Sequence, residues 1–219
     1  MSRFTYDVGY EETRNRTTVA FRMILAIPHV ILTSLWGRLT QLLAVIQWFI
    51  IVFTGKRNEG IWNLQQSYQY YNCRVSGYIA LLYDQYPAFG TDPGTVPVRS
   101  EISFEESADR LTNALRLIWA IPAAIIAAVV GIGAYIVVII SWFAIVITGK
   151  QSRGMWDFVL KVLRFSFQLE SYVFLMTDTY PKFGEGASTS MAMAAGSPPP
   201  PPPPPTSFVP PPPPPPPSA

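Results

Sequence analysis

Chemistry in this chain would have to come from few side chains. There is one histidine, His29, and one cysteine, Cys73. A single cysteine excludes an internal disulfide framework and any Cys-based zinc or iron–sulfur cage. A single histidine excludes a bis-histidine haem site and a His-rich metal site. Two aspartates, Asp84 and Asp178, stand at the head of D-x-Y-P-x-F-G, where a short acidic side chain ordinarily bonds nearby backbone. Glu11-Glu12 and Glu105-Glu106 precede apolar runs, where acids suit a helix N-terminal dipole. Gly55-Lys56 and Gly149-Lys150 hint at a phosphate loop, but G-x-x-x-x-G-K-[ST] is absent. No Ser–His–Asp, Cys–His or paired-carboxylate constellation can be assembled. The reading is therefore no enzyme, no cofactor and no metal.

The same residues recur. Ala26-Ile27-Pro28 returns as Ala120-Ile121-Pro122, Trp48-Phe49 as Trp142-Phe143, and Thr54-Gly55-Lys56 as Thr148-Gly149-Lys150. Asp84–Gly90 returns as Asp178–Gly184, and every pair is 94 positions apart. Two copies of one unit follow, residues 4–90 and 98–184, joined by a turn-rich linker over 91–97. Residues 185–219 change character: Gly, Ala, Ser, Thr and Met give way to two runs of eight prolines. This predicts a disordered polyproline tail with no packed core.

Charged residues are only 14% of the 219, hydrophobic residues are 49%, and net charge is +2. That balance favours a membrane protein with polar ends and gives no basic field for nucleic acid. Leu117 to Ile147 carries no formal charge, and Met23 to Phe53 carries only Arg38. Runs of this length read as membrane-spanning. The polar first twenty residues predict no secretory signal peptide.

Each run is too long for one span and short for two. Gly37 and Gly131 sit near the middle, and Arg38 in a single span would lie at mid-membrane. The sequence thus predicts a helical hairpin per repeat, 17–36 with 38–54 and 111–130 with 132–148; a re-entrant hairpin is the alternative. Lys and Arg cluster at both ends of each hairpin, which places both chain ends in the cytoplasm. Even-numbered spans make the copies parallel, related by a pseudo-two-fold along the membrane normal.

The recurring motifs read as anchors and turns. Gly55 and Gly149 suit left-handed helix caps. Lys56, Trp62, Lys150 and Trp156 suit the membrane interface. Pro28 and Pro122 predict kinks inside helices, and Pro87 and Pro181 predict helix stops. After each hairpin an amphipathic helix is expected. In the second copy Asp157, Lys161, Arg164, Gln168 and Ser171 form its polar stripe. It would lie in the interface or pack across the hairpins.

The doubled pattern R-x-x-x-A-I-P, W-F, T-G-K-x-x-x-G-[IM]-W and D-x-Y-P-x-F-G resembles domain of unknown function 4389, a bacterial, largely actinobacterial, membrane-protein family. The resemblance covers both repeats and leaves out the tail. It implies an integral membrane protein of two such domains and no activity, so it carries over no functional residues.

The fold expected is all-α: two membrane hairpins, each followed by an amphipathic helix, with a disordered tail. The function expected is a non-enzymatic accessory or scaffold protein of the bacterial inner membrane. Its partners are the lipid bilayer and a protein met through the polyproline tail or the helix faces, with homo-oligomers left open. The alternative is a small transporter or channel with a pathway between the repeats, for which both runs lack the usual acidic residue.

Overall fold

The computed structural model describes residues 4–91 and 95–184. The expected tail and the centre of the expected linker lie outside the described residues. The order of elements is β1 (Thr5–Val8), α1 (Arg16–Thr54), α2 (Glu59–Ile79), β2 (Val98–Glu101), α3 (Arg110–Ala114), α4 (Arg116–Thr148) and α5 (Arg153–Val173). The fold is mostly helical, and the two strands correct the all-α expectation. Their signal is a period of two: Phe4, Tyr6 and Val8 are buried while Thr5 is exposed.

The hairpins are not formed. Each run is one continuous helix, with Gly37 inside α1 and Gly131 inside α4. An isolated glycine costs a helix only about 1 kcal/mol, and no proline or Asx residue stands beside either glycine to start a turn. Pro28 and Pro122 are likewise absorbed within α1 and α4. Matching caps start α1 and α3, the short helix just before α4: Asn15 accepts from Thr17 N and Thr18 N, and Asp109 accepts from Thr112 N. α4 itself follows Leu115 without a side-chain cap. α1 and α4 end at Gly55 and Gly149, both left-handed at φ 75° and 74°, each donating its N–H back four residues.

Each long helix packs antiparallel to the helix after it. Arg22, His29 and Gln47 of α1 bond Tyr78, Tyr71 and Asn58 in turn, which run backwards along the chain. The buried stripe of α1 is Val19, Arg22, Ala26, His29, Gly37, Thr40, Ala44, Gln47 and Ile51, three or four apart except for the two-turn step from His29 to Gly37. Apart from Val19 and Ile51 it is small or polar. The rest of the circumference is mostly apolar and open: Ile31, Leu35 and Phe53 in α1, and Leu117, Ile132 and Ile147 in α4, are 63–75% exposed. A soluble helix has the opposite arrangement. α1 and α4 are each long and apolar enough to cross a membrane, and little of either is buried, which associates the protein with membrane.

The copies are related by a pseudo-two-fold axis. In the antiparallel sheet Tyr6 stands opposite Ser100, its own counterpart. Arg14 N donates to Gly149 O at 2.9 Å, and Ala108 N donates to Gly55 O at 3.0 Å. Trp142 donates to Val19 O and Trp48 to Asn113 O, so α1 and α4 run antiparallel with ends matched. The pair of helices expected in each copy is thereby replaced by one long helix per copy, the two running antiparallel. Near the axis α2 meets α5, where Gln69 donates to Phe167 O and Asn72 to Glu170. The sheet lies over this layer, with Tyr6 donating to Cys73 O and its ring edge-on to Phe167. The order of layers is sheet, then α2 with α5, then α1 with α4.

Candidate functional site

The densest clusters of charge are two buried centres that repeat one another. At the end of α2 the chain turns through Leu81, left-handed at φ 62°, with Leu82 N donating back to Gly77 O. Leu175 does the same after α5, at φ 63°, with Met176 N donating to Ser171 O. A leucine in this region is uncommon and strained. What the turn achieves is a ring of acceptors. Arg22 Nη1 donates to Tyr78 O at 2.9 Å and Tyr83 O at 3.0 Å, and Nη2 donates to Asp84 Oδ1 at 2.7 Å. Arg116 repeats this with Tyr172 O, Thr177 O and Asp178. Each guanidinium also lies 4.4 Å over a tyrosine ring, Tyr78 or Tyr172.

Each aspartate meets a second guanidinium from a different place. Arg14 donates to Leu82 O and lies 3.9 Å from Asp84. Arg57 donates to Leu175 O and lies 2.5 Å from Asp178, so the first copy completes the centre of the second. Arg14 has Ala108 as its counterpart and Arg57 has Gln151. The two breaks in the repeat compensate, leaving two arginines at each carboxylate. Burial alone would raise the Asp178 carboxyl, but Arg57 and Arg116 outweigh it and hold it below the ordinary carboxylate range. The arrangement clamps a helix to a turn.

Tryptophans fasten one copy to the other. Trp62 donates to Met176 O and Trp156 to Leu82 O, and both are buried. They were expected at the membrane interface; an indole N–H in the core needs an acceptor, and the opposite turn supplies it. Residues 16–90 and 110–184 each match the family described as Domain of unknown function (DUF4389).

The chain belongs to the DUF4389 family.

No curated protein and no solved structure matches it. Within each DUF4389 copy the recurring arginine, tryptophan and aspartate are the clamp and the fasteners just described. The strands, and Arg14 with them, lie outside the matched segments. Lys56 and Lys150 are exposed and pair with Glu106 and Glu12 of the facing copy, at 2.8 and 3.4 Å. Pro87 and Pro181 are buried in the loops after the α2 and α5 turns. His29 is enclosed, 2.6 Å from the Tyr71 hydroxyl and stacked on Phe89. Cys73 is fully buried, and burial pushes its thiol well up, so it is an inert thiol. Among the described residues no group of three or more His, Cys, Asp or Glu could hold a metal.

The amphipathic helix α5 turns Arg164 and Gln168 of its polar stripe toward the sheet. Arg164 donates to Tyr6 O and Asp7, and Gln168 to Phe4 O. A cavity of about 390 Å³ lies between the end of α1 and the start of α4, lined by Ala44, Trp48, Phe49, Leu117 and Phe174. Ala44 stands where the second copy has Val138, which is packed into its own apolar cluster. Sequence reasoning did not find the arginine centres, because the partners of Arg22 lie 56 to 62 residues away. The available signal was that both members of the pair, R and D, recur at one offset.

Proposed function

We propose that this protein is a non-enzymatic accessory or scaffold protein held in the bacterial plasma membrane by α1 and α4, with its chain ends on the cytoplasmic side. The observation that carries this is the inverted helix pattern: polar residues inside, a largely apolar surface outside, and both buried arginine centres held by carbonyls and a carboxylate. Its partners are the bilayer and a protein recruited through the polyproline segment, a composition that recognition modules read at little ordering cost. A pathway between the copies, as a transporter or channel would need, is disfavoured by the aromatic packing of Phe4, Tyr6 and Phe167 near the axis. The test is purification from native membranes in mild detergent, with and without residues 186–219. A stoichiometric protein partner that leaves with the tail is expected. The same partner recovered in full without the tail would refute recruitment by it. Flux above empty vesicles from the purified protein would favour the transport reading.

A further inference from the structure

We infer that α1 and α4 lie flat in one leaflet rather than crossing the bilayer, so that the whole protein sits on one side with its pseudo-two-fold axis along the membrane normal. The inference rests on the reading that α1 and α4 are embedded in lipid. α1 and α4 are antiparallel with matched ends, so the axis passes between their midpoints. The same axis passes through the sheet at Tyr6 and Ser100. If the helices crossed, the axis would lie in the bilayer plane and the sheet would stand at mid-depth. The sheet's outer face carries Arg99 and Glu101, both exposed, and Asp7 opposite Arg99. No lipid-facing sheet edge or charged row is tolerated at that depth.

Length points the same way. The charge-free run from Leu117 to Ile147 of α4 is 31 residues, about 46 Å, against a hydrocarbon core of about 30 Å. Fitting it by tilt alone needs roughly 50°, beyond the range of about 0–40° seen for spanning helices. Arg38 is exposed and follows Gly37, which faces Tyr68 of α2. It therefore lies about 100° round the helix from the buried stripe, on a flank. Lying flat, that flank is within a side chain's reach of the headgroups; crossing, it is at the bilayer centre. Laid flat, the layers match the bilayer: apolar α1 and α4 in the acyl chains, α2 and α5 at headgroup depth, and the charged sheet in water. Residues 91 and 184 then lie on the watery side, since the sheet flanks the one and Lys161 the other.

The test is site-directed labelling of the full-length protein with a membrane-impermeant maleimide. Single cysteines replace three exposed residues: Thr13→Cys beside the end of α4, Ser107→Cys beside the end of α1, and Glu101→Cys on the sheet. The native Cys73 is wholly buried and stays silent. Intact cells and inverted membrane vesicles are labelled in parallel, and detergent-solubilised protein shows that each cysteine is reactive. All three labelling from one side only is the result expected. Thr13→Cys and Ser107→Cys labelling from opposite sides, or both from both sides, would overturn the inference, as would Glu101→Cys that reacts only in detergent. Release of the wild type into the soluble fraction would instead overturn the membrane reading beneath it, and a detergent-free soluble dimer would identify a second copy as the cover of the apolar face.

Discussion

Arg22 and Arg116 show why a charged residue can be tolerated within a largely apolar helix. Each is essentially fully buried, yet two carbonyls, a carboxylate and a tyrosine face take up its charge. Taking away the carboxylate charge strands two buried guanidinium groups at once. Asp178→Asn is therefore expected to cost about 3–5 kcal/mol, read as a large fall in melting temperature in detergent, while Lys150→Ala, an exposed pair, leaves melting unchanged. Glu170 is a different case. Burial is the main cause of its raised pKa, about 7, with Asn72, Gln69 and Tyr68 bonding it and pulling the other way. An acid raised in the folded state stabilises most below its unfolded pKa, and that contribution fades as pH rises through the folded value. The protein should accordingly lose about 1–3 kcal/mol between roughly pH 4.5 and pH 8 from this group. Glu170→Gln should flatten that part of the pH–melting profile; an unaltered profile would assign the dependence elsewhere. Gln65 is fully buried with neither side-chain polar atom bonded, where the second copy has Val159. Gln65→Leu should leave stability unchanged or raise it by about 1 kcal/mol.

At the scale of elements, a continuous helix and a hairpin make opposite demands on the same glycine. A Cβ at Gly131 meets nothing within 4 Å, and its backbone is helical. Gly131→Ala should then stabilise by about 0.5–1 kcal/mol, whereas a turn there would be damaged. Gly149→Ala should destabilise, because its φ is +74° and the added carbon would meet Arg16 Nε at 2.9 Å. Paired thermal melts decide both. The repeats, the caps at Gly55 and Gly149, and the helical character of Met23–Phe53 and Leu117–Ile147 were legible in the sequence, since they depend on local pattern. The continuity of α1 and α4 was not, because each run exceeds the length that one bilayer crossing needs, and local pattern alone does not distinguish one long helix from two short ones. Trp62 and Trp156 looked interfacial because tryptophan commonly is; their acceptors are 114 and 74 residues away, beyond any local pattern. The strands were missed although Phe4, Tyr6 and Val8 alternate with Thr5 and Asp7, a period of two too short to stand out beside long helices.

At the scale of the molecule, neither DUF4389 copy closes on its own. Arg57 completes the centre at Asp178, Trp62 and Trp156 exchange bonds, and the strands pair across the axis. A chain cut between residues 92 and 94 should therefore run in mild detergent as one associated species by size exclusion; separation of the halves would contradict the interlock. The same closure fixes how the molecule meets lipid. α1 with α2, and α4 with α5, are antiparallel neighbours in layers perpendicular to one axis, so their orientation in a bilayer is a single quantity. Polarised infrared dichroism of the full-length protein in aligned bilayers measures it. The amide I signal should place the helix axes near the membrane plane; axes near the normal would contradict the account.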